Sequence, residues 1–391
     1  MRDDLYIAWR YILFNRARSL VLVACITLVA FLPLSLSLLL NEVERSLRTR
    51  AVDTPLLVGA RGSALDLAMS SLYFDDQQPK TVSMALLEEL EQDRRVMSVP
   101  LYVRFKARGF PVVGTTLDYM DLRGLSVRHG RLPALLGECV LGAEAAAKLG
   151  MGPGDHLVTT PENLFDLAGI YPLRMQVVGV LHPSHTADDR AVFTDLKTAW
   201  VIQGLGHGHQ DLAQTEDPSV ILDKRDSNVT ANAKLVQYNE INADNMGSFH
   251  FHGKPDDYPL SAVILYPEDE KSATLLRGRY LDSERYQVLI PPEVIEGLLD
   301  NIFRIKRVLD TVVLIVGLAT LLAVILVFAL SIRLRQREME TIFKLGCGRL
   351  TMVRLLGAEI AIVALASLAL GCLLALATSR FGDDLVRMLV A

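Results

Sequence analysis

The chain has 391 residues, enough for two or three domains, and 51 % of them are apolar. With a positive mean hydropathy, that composition is high for a soluble protein. A net charge of −5 and the lack of a Lys/Arg run in the central region exclude a nucleic-acid-binding design, and four cysteines are too few for a disulfide scaffold.

Residues 1–18 set Arg2, Arg10, Arg16 and Arg18 against Asp3 and Asp4. Leu5, Ala8, Trp9, Ile12 and Leu13 recur at helical spacing, and Tyr6, Trp9 and Tyr11 are rings favoured at a membrane interface. The segment reads as a short amphipathic helix on the cytoplasmic surface, with a plain charged flank as the alternative. Residues 19–40 carry no charge and contain Pro33, a kink position. At about 1.5 Å per residue such a run crosses a hydrocarbon core about 30 Å thick. A cleaved signal peptide is the competing reading, but the run is long for one and no Ala-x-Ala-like site follows it. Residues 19–41 are therefore read as a first span. Arg16 and Arg18 before it, and Glu42 and Glu44 after it, orient its N-terminus inward.

Residues 42–306 then lie outside the cytoplasm and show a mixed α/β pattern. Ser83 stands where a cap would precede a helix with Leu86, Leu87 and Leu90 inward. Residues 99–106 and 110–114 read as strands around an Arg108-Gly109 turn, and 138–142 as another strand. A helix over 143–149 is stopped by Gly150, residues 152–155 form a turn, and 175–181 suit a buried strand. Residues 203–260, rich in Gly, Asp, Asn and His, read as long loops. A strand ends at 288–292, and a helix over 293–310 runs into the next span.

The second and third spans are 307–332 and 355–379, built on the uncharged runs 311–332 and 360–379. Between them, residues 333–354 set Arg333, Arg335, Arg337, Lys344, Arg349 and Arg354 against Glu338 and Glu340, which places this loop in the cytoplasm. Met339, Ile342, Phe343 and Leu345 are apolar beside Glu338, Glu340, Lys344 and Arg349, the pattern of a helix that docks a soluble partner. The tail 380–391 sets Phe381, Leu385, Met388 and Leu389 on one helical face and is expected on the outer interface, with the C-terminus outside.

This loop resembles that of the MacB/FtsX-type ABC transporter permeases, which include the lipoprotein-releasing permeases. The matching residues are Arg337, Glu338, Met339, Leu345, Gly346, Cys347, Arg349 and Glu359. Residues 138–155 (ECVLGAEAAAKLGMGPGD) and 175–181 (MQVVGVL) are similar to the extracytoplasmic core of that family, and the order span, outer domain, span, loop, span agrees over nearly the whole chain. The resemblance implies a membrane α-helical protein of three spans with a large extracytoplasmic α/β domain of the MacB periplasmic core type. It implies that an ABC ATPase subunit docks on residues 333–354, with Arg337, Glu338, Phe343, Leu345, Gly346, Cys347, Arg349 and Glu359 as coupling residues. A homodimer or a heterodimer with a second permease follows, with a periplasmic adaptor or binding protein as a further partner. ATP belongs to the partner subunit, because this chain has no Gly-x-x-x-x-Gly-Lys-Ser/Thr motif. Relatives have a fourth span, which is not found here.

No catalytic constellation stands out. Ser184, His185 and Asp188 are too local for a triad. His182, His185, His207, His209, His250 and His252 fall in three pairs, the first followed by Asp188 and Asp189. His-x-His on a strand turns two imidazoles to one face, so a Zn²⁺ site drawing on some of these six is an expectation; surface loop histidines are the alternative. The reading is a permease subunit of an inner-membrane ABC transporter that couples ATP hydrolysis on a separate subunit to movement of its outer domain for export, extraction or transport, and is not itself an enzyme. An FtsX-like signalling scaffold that activates an extracytoplasmic partner is the alternative.

Overall fold

Strands that are apolar at consecutive positions must be buried on both sides, and the central sheet of this chain is. The computed structural model describes residues 2–161, 172–208, 221–225, 228–231, 238–334 and 349–390. Its contacts divide the chain into an α/β unit, Arg48–Glu296, and a helical unit, Met1–Leu47 with Gly297–Ala391.

In chain order, helices α1 (Arg2–Phe14) and α2 (Arg16–Val52) lead to β1 (Leu56–Ala60), α3 (Ala64–Leu72), β2 (Val82–Ser83) and α4 (Met84–Glu91). Next come β3 (Val96–Ala107), β4 (Phe110–Thr115), α5 (Leu117–Leu122), β5 (Val127–Gly130) and β6 (Glu138–Leu141). They are followed by α6 (Ala143–Leu149), β7 (His156–Val158), β8 (Arg174–Leu181), β9 (Val192–Asp195) and α7 (Leu196–Gln203). The short strands β10 (Gly206–His207), β11 (Ile221–Arg225), β12 (Asn228–Ala231), β13 (His250–Phe251) and β14 (Pro259–Leu260) precede β15 (Ala262–Pro267), α8 (Glu270–Tyr280) and β16 (Tyr286–Leu289). Two long helices follow, α9 (Pro291–Leu334) and α10 (Arg349–Val390).

The α/β unit is built on a mixed sheet in the order β16-β1-β15-β3-β4-β9-β6-β8-β5, with β7 also paired to β8. Most neighbours are antiparallel, while β4 with β9 and β6 with β8 are parallel. Alternate side chains serve opposite faces. Leu56 and Val58 of β1, Tyr102 of β3, and Val263 and Leu265 of β15 pack with α4, α6, α7 and α8. Leu57, Val99, Leu101, Val103 and Ile264 pack against α3 and α5 on the other face. A bulge in β3 between Val103 and Phe105 inserts Arg104 and lets Phe105 join Tyr102 on the first face. Each fully buried Leu contributes about 1.5–3 kcal/mol relative to exposure, so the double-sided core carries this unit.

Several local expectations are met. β3 and β4 form a hairpin with two residues between the Ala107–Phe110 pair. Arg108 and Gly109 both have positive φ, +48° and +87°, as a two-residue type I′ turn requires. Helix α6 ends on Gly150 at φ +64°, in the left-handed conformation that Gly adopts without a Cβ penalty. Ser83 does stand at the N-cap of α4, but its side chain makes no capping bond there. Within 203–260 the described residues are more ordered than the long loops expected: β10 pairs with β13, β11 with β12, and β14 with β2.

Among the described residues, three helices are long and apolar enough to cross a membrane, Arg16–Val52, Pro291–Val327 and Val353–Thr378. Pro33 lies inside α2. Leu22 of α2 and Val363 of α10 are buried together, flanked by Ile12, Val23, Ile26, Val324 and Val327. Thr27 donates to the Ser367 carbonyl at 3.3 Å, and Ser367 Oγ to the Val363 carbonyl at 2.8 Å. Small hydroxyl residues that let helix backbones approach are the usual adhesive where lipid removes the hydrophobic drive for association. Leu314, Leu318, Leu322 and Leu326 of α9 stay exposed, an apolar surface suited to hydrocarbon. The helix α10 runs without a break from Arg349 through Val390.

Candidate functional site

The last turn of α2 lies in the α/β unit and buries a charge. Arg50 is 4 % exposed and Asp188, from the 3₁₀ turn Ala187–Arg190, is 2 % exposed. Arg50 donates through Nη1 to Asp188 Oδ2 at 2.6 Å and through Nη2 to Oδ1 at 2.9 Å, a bidentate pair. Nη2 also donates to the Tyr119 hydroxyl at 2.8 Å, and that hydroxyl donates to Asp188 Oδ1 at 2.7 Å. Arg50 Nε donates to the Leu72 carbonyl, and the guanidinium carbon lies 5.2 Å from the centre of the Phe74 ring. Phe74 holds φ +59°, a strained conformation for a bulky residue, and its ring meets Phe193 edge-on at 6.2 Å. Thr186 Oγ1 supplies Asp188 Oδ2 with one more donor at 2.9 Å.

Burial alone would raise the Asp188 pKa. The Arg50 charge, its hydrogen bonds, and the donors Tyr119 and Thr186 outweigh that and hold it below the usual carboxylate range. Burial and the adjacent Asp188 push the Tyr119 phenol up, against Arg50 and Arg123, so it stays a neutral donor. Cys139, also buried, is pushed up as a thiol and is no nucleophile.

The neighbouring Asp189 organises the loop that carries Asp188. It accepts from the Ser184 amide at 2.7 Å, the Ser184 hydroxyl at 2.9 Å and the His185 amide at 2.8 Å. Gly142, between β6 and α6, lies against this turn. A Cβ there would stand 2.2 Å from the Asp188 carbonyl oxygen and 2.5 Å from that of Asp189. The glycine within the 138–155 motif thus lets α6 approach the turn that holds the carboxylate.

The structure brings together three of the six histidines. His207, His250 and His252 have ring centroids 4.8–4.9 Å apart, and their ligating atoms lie within 4.8 Å of one another. His182 and His185 are exposed and stand outside this cluster, and the two acids that follow them are engaged as described. His209 lies outside the described residues.

Of the coupling residues, Arg337, Glu338, Phe343, Leu345, Gly346 and Cys347 lie outside the described residues, and Arg349 opens α10. Glu359 is buried in the helical unit and pairs with Arg18 of α2 at 2.8 Å. The sequence reading missed Arg50 altogether. It sits in the polar stretch after the first span, where nothing distinguishes it from Arg45 or Arg48.

Over residues 23–238, more than half of the chain, the sequence matches the family described as the MacB-like periplasmic core domain. Among solved structures it is similar to the periplasmic region of MacB from Actinobacillus actinomycetemcomitans, at 9 % identity and TM-score 0.36 over 65 % of this chain and 98 % of that one. It is also similar to the extracellular domain of the noncanonic ABC-type transporter YknZ from Gram-positive bacteria, at 15 % identity and TM-score 0.33 over 60 % of this chain and 98 % of that one. No curated protein matches it by sequence. The chain belongs to the MacB-like periplasmic core domain family, as a MacB/FtsX-type ABC transporter permease with apolar spans and an extracytoplasmic α/β domain.

Proposed function

We propose that this chain is the permease subunit of an ABC transporter whose ATPase is a separate polypeptide, and that it converts ATP-driven movement at residues 333–354 into displacement of the extracytoplasmic unit. The observation that carries this reading is the helix α2. It begins at Arg16 beside the N-terminal basic residues, and its last turn is fastened in the α/β unit by the buried bidentate pair of Arg50 with Asp188. A helix with an internally satisfied backbone transmits a push along its axis, and a buried ion pair fixes its end against slippage. Assembly with a second permease, identical or different, belongs to this reading, since the three described spans are few for a transport bundle. The N-terminus and the basic loop lie on the cytoplasmic side, by the positive-inside rule. The outer unit works on substrate, alone or with an adaptor, at the outer face of the membrane.

The test is affinity purification of the full-length chain from its native membrane, with mass spectrometry of what accompanies it. A P-loop ATPase is expected, and it is expected to be lost in both Phe343→Asp and Gly346→Pro while the permease itself stays in the membrane fraction. Absence of any P-loop ATPase, or its full retention by both variants, overturns the reading.

A further inference from the structure

The geometry points to a Zn²⁺ site made by His207, His250 and His252, independent of the transport role proposed above. The site follows from strand periodicity. β10 and β13 are antiparallel, with Gly206 opposite Phe251 and His207 opposite His250. Residues directly opposite share a face, and so do residues two apart on one strand. His207, His250 and His252 therefore fall on one side of the ladder, and Gly206, Gly208, Phe249 and Phe251 on the other. The His252 amide donates to the Leu205 carbonyl at 2.8 Å, which extends the pairing past the named strands and holds His252 in register.

The opposite side shows why the histidines are presented together. A Cβ on Gly206 would stand 2.7 Å from the Phe251 ring, and one on Gly208 2.6 Å from the Phe249 ring. Glycines at both positions let the two rings lie over the partner strand and join the main core. With the phenylalanines anchored inward, the alternating Phe-His-Phe-His order leaves the imidazoles outward. The His250 Nδ1–H donates to the Ser248 carbonyl at 3.1 Å, which leaves Nε2 as the ligating nitrogen. This is the backbone-oriented arrangement common to metal-bound histidines.

Nitrogens on a tetrahedral Zn²⁺ stand about 3.3 Å apart at Zn–N distances of about 2.0–2.1 Å. The ligating atoms here lie within 4.8 Å of one another, so small ring rotations close the set. Three imidazole ligands favour Zn²⁺ over Mg²⁺ or Ca²⁺, which seek oxygen ligands. Three protein ligands leave a fourth position for water or an incoming group. The ion would clip the strand after α7 to the strand at 250–252.

The test uses the full-length protein in detergent, stripped with a chelator and titrated with Zn²⁺ by competition against a chromophoric chelator. One ion per chain is expected, with affinity falling at least about 100-fold in His250→Ala/His252→Ala and in His207→Ala, and unchanged in His182→Ala/His185→Ala. Size-exclusion profiles check that each variant is folded, and His252→Ala alone, at an exposed position, serves should the double variant fail. Co²⁺ is expected to give the intense visible band of a tetrahedral site, lost in the same variants. Binding that survives in the folded His207 and His252 variants, or loss in the His182/His185 variant, overturns the assignment, as does the absence of stoichiometric binding by the wild type.

Discussion

Arg50 and Asp188 are 138 residues apart in sequence and form one buried unit of charge. Removing one partner leaves the other uncompensated in a low-dielectric setting, at a cost of about 3–5 kcal/mol, whereas replacing both by apolar residues can be nearly neutral. Asp188→Asn is therefore expected to destabilise the α/β unit by that amount, and Arg50→Met/Asp188→Leu by less than the sum of its single changes. Denaturant unfolding of a Trp9→Phe background, which leaves Trp200 as the one tryptophan of the chain, reads this unit directly. Additive single effects would show that the pair is not coupled. The same carboxylate sets an acid limb. Its folded pKa is depressed, so its stabilisation is complete above the unfolded value of about 3.9 and is lost as pH falls from there through the lower folded value. Stability of the wild type should thus fall below about pH 4 more steeply than that of Asp188→Asn. Parallel acid limbs would mean that other carboxylates dominate.

At the scale of elements, the strand β6, helix α6 and the 3₁₀ turn Ala187–Arg190 meet through one missing side chain. Gly142 sits at φ −61°, a conformation open to any residue, so the need for glycine there is one of space, not of backbone freedom. Both contacts are backbone carbonyls that cannot rotate away. Gly142→Ala is expected to cost about 1–3 kcal/mol as an overpacking change. Gly152→Ala, with nothing within 4 Å of its added Cβ, should shift stability by no more than about 0.5 kcal/mol. Equal Tm values for the two variants would contradict this account of the motif. The motif residues 138–155 were legible as strand, helix and turn because each follows a local rule. That the glycine serves Asp188 was not legible, because the carboxylate arrives from another part of the chain.

For the whole molecule, the orientation of the spans predicts what a membrane-impermeant maleimide reaches. In intact spheroplasts, a Gly152→Cys variant should be labelled, whereas the natural Cys347 of the loop should react only after permeabilisation. The reverse pattern would invert the topology. Three apolar runs, their flanking charges, the hairpin at Arg108-Gly109 and the stop at Gly150 were determined by the sequence alone. Span length, charge bias and turn chemistry are properties of contiguous residues. Tertiary structure alone decided that Arg50 closes on Asp188 and Tyr119, and that His207, His250 and His252 face one another. Those choices depend on strand register and on packing between segments far apart in the chain, and a local pattern of polar residues holds no record of either.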